Sequence, residues 1–322
     1  MIDKVSAIEP GEFPRRIASL LASSTEILFL LGLGDRVVAV SHECDHPAEA
    51  ASRPRVTTVN LDASSSSADI DAAVRDMTSS GRPLYTIDVE RLSALRPELI
   101  VTQSHCDVCA ISLDDVLGAV ARVESLRGCQ VLSMNPSRVG DVLRDIRRIA
   151  RAAGVASRGD EVATGLSFRI DHVRRASAEI PPSDRPRVLC VEWIDPLMVA
   201  ANWMPELVDW AGASCPLTRA GDRSGYTSWD DVLRFDPQVI VVAPCGFELA
   251  RSRSDAAMLR RLPGWAELNA VRHGRVWAAD GNAYFNRSGP RLVDSLEMLA
   301  HAVHPERFAR PACFDEAMTR LN

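Results

Sequence analysis

Aromatic residues are scarce in this chain: eight phenylalanines, six tryptophans and three tyrosines among 322 residues. Rings that fall outside core-forming segments therefore carry information about function. Long apolar runs are missing as well. No stretch approaches the roughly 20 residues a helix needs to cross a bilayer, so the chain is not read as membrane-embedded. Basic charge is not in excess; a net charge of −6 argues against a nucleic-acid partner. Catalytic signatures are lacking too. Ser23-Ser24-Thr25 precedes a helix without the G-x-S-x-G elbow. Gly32-x-Gly34 follows a helix instead of joining a strand to one, so it is no phosphate loop. No nucleophile, base and acid share a supporting spacing, and the expectation is a non-enzyme. The first ten residues, Met1 to Pro10, hold no apolar leader core, and Glu12, Arg15 and Arg16 follow at once. That reads as a cytoplasmic protein, or as a periplasmic or membrane-anchored one if a leader has been removed.

What the chain does have is a repeat. Leu95-Arg96-Pro97-Glu98-Leu99-Ile100-Val101 is echoed by Phe235-Asp236-Pro237-Gln238-Val239-Ile240-Val241, and a carboxylate precedes each proline by seven residues, Glu90 and Asp230. Arg16-Ile17 leads to Thr25-Glu26-Ile27-Leu28 and Leu31-Gly32-Leu33; Arg187-Val188 leads to Pro205-Glu206-Leu207-Val208 and Ala211-Gly212-Ala213. A solenoid would need several units of roughly 20–50 residues, so a single duplication implies two lobes. A cleft between lobes is where a small ligand would bind.

Short β-branched runs at 16–21, 37–40, 99–102, 131–133, 187–192, 238–243 and 275–278 alternate with segments of helical spacing. That alternation predicts parallel sheets covered by helices. Val162, Leu166, Ile170 and Val173 mark a helix over 157–179 that would run about 35 Å, and Ile180-Pro181-Pro182 stops it. The expected fold is α/β: two Rossmann-like lobes with parallel sheets joined by one long backbone helix. The lobes are placed at 1–155 and 182–322, with the linking helix at 156–181.

Ligands of open α/β sheets bind beyond the C-terminal strand ends. In the first lobe those ends carry Ser24, His42, Glu43, Cys44 and Gln103; in the second, Trp193, Trp203, Tyr226, Tyr284, Phe285 and Arg287. Rings in loops favour a broad, flat, partly apolar ligand, and a tetrapyrrole such as cobalamin fits. At least two of the five loop rings are expected to be core residues instead. Cys106-x-x-Cys109 follows a strand, with Cys44, His42 and His105 at the same sheet edge. Cys44, Cys106, Cys109 and His105 would suit zinc, an iron–sulfur cluster or a redox pair. One C-x-x-C without a second pair equally describes reduced thiols packing a helix start.

Ile17-Ala-Ser-Leu-Leu-Ala-Ser-Ser-Thr-Glu-Ile-Leu28, Val40-Ser-His-Glu-Cys-Asp45 with Pro47, and Arg96-Pro97-Glu98-Leu99-Ile100-Val101 occur in an order that resembles the substrate-binding proteins of cobalamin and iron-siderophore uptake, nearest the cobalamin-binding branch. The resemblance spans roughly residues 15–305. It implies non-catalytic binding of a corrinoid or related metal chelate between the lobes. It also implies that Glu90 and Asp230 dock with an ABC permease, or with a cytosolic partner if the protein is not exported. Leu84 or Tyr85, and Gln103, stand where that family places first-lobe tryptophans, which widens the expected ligand beyond cobalamin. The alternative is a cysteine-ligated metal, iron–sulfur or redox protein on the same scaffold.

Overall fold

A computed structural model describes residues 13–104 and 111–321. The chain divides into two compact units, residues 1–136 with 141–165, and residues 137–140 with 166–322. The division falls inside the long helix.

The first unit is built on a four-stranded parallel sheet. Its strands are β1 (Ile17–Ser19), β2 (Val37–Val40), β5 (Leu99–Gln103) and β6 (Gln130–Met134), in the order β2-β1-β5-β6. Between β2 and β5 the chain makes a small antiparallel pair, β3 (Thr57–Val59) and β4 (Tyr85–Ile87), with Val59 opposite Tyr85. Sequence periodicity did not predict this pair, because three residues are too few to show alternation. β1 and β5 are both buried along their whole length, as expected of parallel strands covered on both faces. The helices are α1 (Ala22–Leu30), α2 (Ser67–Ser79), α3 (Val89–Ala94), α4 (Leu113–Arg122), α5 (Val139–Ala152) and α6 (Ala156–Ala178). Val142, Ile146, Ile149 and Ala153 of α5 and its C-terminal flank recur at helical spacing and are buried. In α6 the predicted stripe Val162, Leu166, Ile170 and Val173 is buried.

The second unit holds a six-stranded sheet: β7 (Val188–Trp193), β8 (Met198–Val199), β9 (Gly225–Tyr226), β10 (Val239–Val242), β11 (Val276–Ala279) and β12 (Met318–Arg320). The order is β12-β11-β10-β7-β8-β9. Only β11-β10-β7 is parallel; β12, β8 and β9 run antiparallel to their neighbours. Helices α7 (Met204–Trp210), α8 (Trp229–Phe235), α9 (Leu249–Ala256), α10 (Asn269–Arg272) and α11 (Leu292–Val303) follow. The observed pattern is the two-lobed α/β fold with a long helix, and the flanking antiparallel strands are its departure from purely parallel sheets.

The sequence repeat is a repeat of hydrogen bonds. Arg16 Nε and Nη2 donate to the Leu95 carbonyl at 2.8 and 2.6 Å. Arg187 Nε donates to the Phe235 carbonyl at 2.8 Å, and its Nη2 to the Asp236 carbonyl at 2.6 Å. Each arginine thus binds the carbonyls left open at the end of a short helix, α3 or α8. The backbone N–H of Arg16 donates to Glu98 and that of Arg187 to Gln238, at 3.2 and 3.0 Å. In return the Arg16 and Arg187 carbonyls accept from Glu98 and Gln238, both at 2.8 Å. Arg96 and Asp236, each preceding a proline, take left-handed φ values of 42° and 45°. That conformation costs a non-glycine residue about 1 kcal/mol or more, and both lobes adopt it to turn α3 into β5 and α8 into β10. Gly32 and Gly212 likewise share φ 78°. Each closes its helix with the same bonds, Leu33 N to Leu28 O and Ala213 N to Val208 O.

Candidate functional site

At the C-terminal ends of β1 and β2 lies a knot of small polar side chains. Ser19 Oγ is 2.6 Å from Ser24 Oγ, and Thr25 Oγ1 is 2.8 Å from Ser19 Oγ and 3.0 Å from Cys44 Sγ. Ser41 Oγ is 3.3 Å from the same sulfur. Ser24 and Cys44 are both 0% exposed. This corrects the expectation for these two residues. Their polar atoms are bonded inside the lobe, where they tie the β2 loop to the start of α1.

His42, one residue past Ser41, is placed differently. Its backbone N–H donates to Thr57 Oγ1 at 3.0 Å, and its ring Nδ1 lies 2.8 Å from the same oxygen. The ring packs against Tyr85 with centroids 5.4 Å apart and planes inclined by 33°. Burial, and secondarily the Arg55 guanidinium, lower its proton affinity, so the neutral imidazole is favoured. Nε2 stands 3.9 Å from Glu43 Oε1, and both side chains are partly exposed. Gln103, at the end of β5, is buried. His105, Cys106 and Cys109 lie outside the described residues. Among the described residues, no three His, Cys, Asp or Glu side chains are grouped to hold a metal ion. Cys44 is the one described member of the proposed cysteine centre, and it is enclosed within the lobe.

In the second unit the strand register builds a row of side chains. Trp193 on β7 is opposite Met198 on β8, which is opposite Tyr226 on β9. Tyr226 is 55% exposed, while Trp193 and Met198 are half-buried. Trp193 leans on Phe247 at 5.1 Å between centroids, and the Arg251 guanidinium covers Phe247 at 3.6 Å. Met198 and Phe247 were missed in the sequence. Phe247 follows β10 just as Trp193 ends β7, so the strand-end rule would have reached it. Met198 needed the antiparallel register of two-residue strands, which leaves no periodic trace.

Trp203 and Phe285 are core residues. Trp203 Nε1 donates to the Phe285 carbonyl at 2.9 Å, and the two are 7% and 1% exposed. That enclosure corrects their assignment as ligand contacts and meets the expectation that two of the five rings pack the lobe. Tyr284 is half-buried beneath Arg291, 5.1 Å from its ring. Arg287 is buried and donates to Asn282 Oδ1 at 2.9 Å. Glu90 and Asp230 are exposed and occupy the same place in the repeat, second residue of α3 and of α8. Their helices are capped alike, by Asp88 accepting from Arg91 N and by Ser228 accepting from Asp231 N.

The repeated lobes and strand-end side chains agree with a match of residues 17–283 to the family described as Periplasmic binding protein. The chain belongs to this family. An uncharacterized ABC transporter substrate-binding lipoprotein of Bacillus subtilis (strain 168) is 25% identical over 301 residues, covering 92% of this chain and 82% of that protein. A vitamin B12-binding protein of Vibrio cholerae is 24% identical over 296 residues, covering 89% of this chain and 88% of its own. A periplasmic heme binding protein from Pseudomonas aeruginosa shares the fold with a TM-score of 0.72 at 21% identity, over 96% of this chain and 99% of that one. These findings overturn the expected cytoplasmic placement, since relatives of this periplasmic binding protein include a lipoprotein, and with it the cytosolic partner. Among the described residues, no helix is long and apolar enough to cross a membrane.

Proposed function

We propose that this periplasmic binding protein captures a corrinoid or a related metal-chelate macrocycle and delivers it, unaltered, to an ABC permease. The observation that carries the reading is the row Trp193–Met198–Tyr226, two rings flanking a thioether, an apolar surface of the right form for a flat ligand, at strand ends of the second unit. On the first unit, the partly exposed side chains of His42 and Glu43 follow the end of β2. Tyr284 follows β11 half-buried, with the Arg291 guanidinium over its ring, a pair suited to ligand carboxylates or amides. Relatives named for vitamin B12 and for heme support a macrocyclic ligand. Glu90 and Asp230 are the docking acids for permease arginines. Their identical position in the two copies supports that assignment.

Calorimetric titration with cobalamin, cobinamide and hemin tests the reading. Tight binding of one with unchanged ligand recovered afterwards is the expected result. No binding of any of the three at millimolar concentration would overturn it. Charge reversal at Glu90 and Asp230 should abolish uptake in reconstituted vesicles while leaving the titration unchanged.

A further inference from the structure

A carboxylate stands among the rings of the second unit. β7 and β8 pair Val191 with Val199 and Trp193 with Met198, so β7 carries one residue more than its neighbour between those pairs. The extra residue is Glu192. A bulge of this kind re-aims side chains of the strand that carries it. The direction Glu192 takes follows from its partner. Ser224 Oγ donates to Glu192 Oε2 at 2.7 Å and accepts from the Ala201 N–H at 2.9 Å. Ser224 leads into β9 two residues before Tyr226, and side chains two apart share a face along a strand. Tyr226 is opposite Met198, and Met198 opposite Trp193. The Glu192 carboxylate therefore lies on the face that presents Trp193, Met198 and Tyr226. Like Trp193 and Met198, Glu192 and Ser224 are half-buried.

A flat ligand lying on this face removes water from Glu192. That costs free energy unless the edge of the ligand supplies hydrogen-bond donors. An ionised carboxylate accepts hydrogen bonds and donates none. It receives amide N–H groups at a macrocycle's edge and repels edge carboxylates, which bring like charge and no donor. The other groups of this unit make no such distinction. Trp193 and Tyr226 stack on any flat ring. The Arg291 guanidinium over Tyr284 donates to amide carbonyls and to carboxylates alike. A site that hydrogen-bonds a ligand group rejects analogues lacking it more strongly than apolar contact does.

We propose that Glu192 is a specificity residue, which admits macrocycles edged with amides and excludes those edged with carboxylates. This rests on the reading given under Proposed function and narrows it. Ser224 is a positioning residue: its hydroxyl holds one carboxylate oxygen, and the Ala201 N–H holds the hydroxyl. The bulge in β7 is what brings an acid to a face that strand alternation would otherwise leave to rings and a thioether.

Dicyanocobinamide and dicyanocobyrinic acid are the matched probes. They share the ring, the cobalt and the cyanide axial ligands, and differ in carrying amides or carboxylates at the edge. By calorimetry at neutral pH, the wild type should bind dicyanocobinamide about ten- to a hundred-fold more tightly, the scale of one hydrogen bond to a charged group. Glu192→Gln, checked for folding by circular dichroism, should bring the ratio to within about three-fold, chiefly through tighter binding of the acid. Ser224→Ala should lower the ratio about three-fold, and Ser224→Thr, which keeps the hydroxyl, should restore it. This second pair of variants decides the matter if Glu192→Gln does not fold. A wild-type ratio near one, or a ratio that neither Glu192→Gln nor Ser224→Ala moves, would overturn the role of Glu192 and leave the macrocycle reading standing. Tight binding of hemin with neither corrinoid bound would do the same. Failure of the wild type to bind dicyanocobinamide, dicyanocobyrinic acid or hemin would overturn both.

Discussion

Replacing Arg187 by alanine tests the claim that the repeated lobes are held by repeated arginine–carbonyl bonds. The guanidinium donates to the carbonyls of Phe235 and Asp236 at 2.8 and 2.6 Å, at the point where α8 turns left-handed into β10. Hydrogen bonds from charged groups contribute about 1.5–3 kcal/mol each. The side chain is 41% exposed, so water would satisfy part of what alanine leaves open. With that compensation the expected loss is about 2 kcal/mol for the pair, below the roughly 3–6 kcal/mol that two fully enclosed bonds of this kind would contribute. Arg187→Lys, which keeps the charge but not the planar fork, should lose about half as much. All six tryptophans lie at or beyond Trp193, within the second unit, so their fluorescence reports its unfolding. In urea, with a slope of about 2 kcal/mol per molar, the midpoint should fall by about 1 M for alanine. A midpoint unchanged in both variants would refute the view that this bond pattern stabilises the joint. Equal losses for alanine and lysine would refute the importance of the fork.

Other outcomes follow from the same geometry. Because the folded-state proton affinity of His42 is lowered, the unfolded chain binds the proton first, and stability should fall as pH drops below about 6.5. His42→Asn should remove that part of the acid loss, read by circular dichroism in urea at pH 7.5 and pH 5.5; an unchanged pH dependence would contradict it. Toward a thiol reagent, exposed Cys245 should react in the native protein, whereas buried Cys44 should react only on unfolding. Cys245→Ser should therefore remove a fast-reacting equivalent and Cys44→Ser none. Tyr226→Ala should weaken macrocycle binding about three- to ten-fold, from a ring contribution of about 0.5–1.5 kcal/mol. Trp203→Phe should instead cost about 1 kcal/mol of stability through the lost bond to the Phe285 carbonyl. The reverse pattern would mean that the core and ligand-facing rings have been exchanged.

The sequence made the frame legible. Strands such as Val239–Val242 read as continuous β-branched runs because both faces are buried. The duplicated prolines and carboxylates marked two lobes because the same joint was built twice. β3, β4, β8 and β9 escaped because pairs and triplets of residues have no measurable period, and these strands hold His42 and align Trp193 with Tyr226. Burial was the other gap. Ser24 and Cys44 stand at strand ends like His42, but their short side chains reach one another inside the lobe while the imidazole extends past them. Trp203 and Tyr226 are both loop aromatics in sequence; only the carbonyl of Phe285, 82 residues away, draws the first inward.

The duplicated joint also indicates what this architecture leaves open to change. Its two copies carry side chains of opposite charge at one matched position, Arg96 and Asp236, and an acid against an amide at another, Glu98 and Gln238. What was kept between them is the path of the main chain, with the arginine that grips it. The strand tips beyond the joint then diverged without disturbing their support, toward an imidazole and hydroxyls in one half and toward rings in the other. A receptor made this way can be refitted for a new cargo one half at a time, and grafted tips from one relative onto the frame of another should fold.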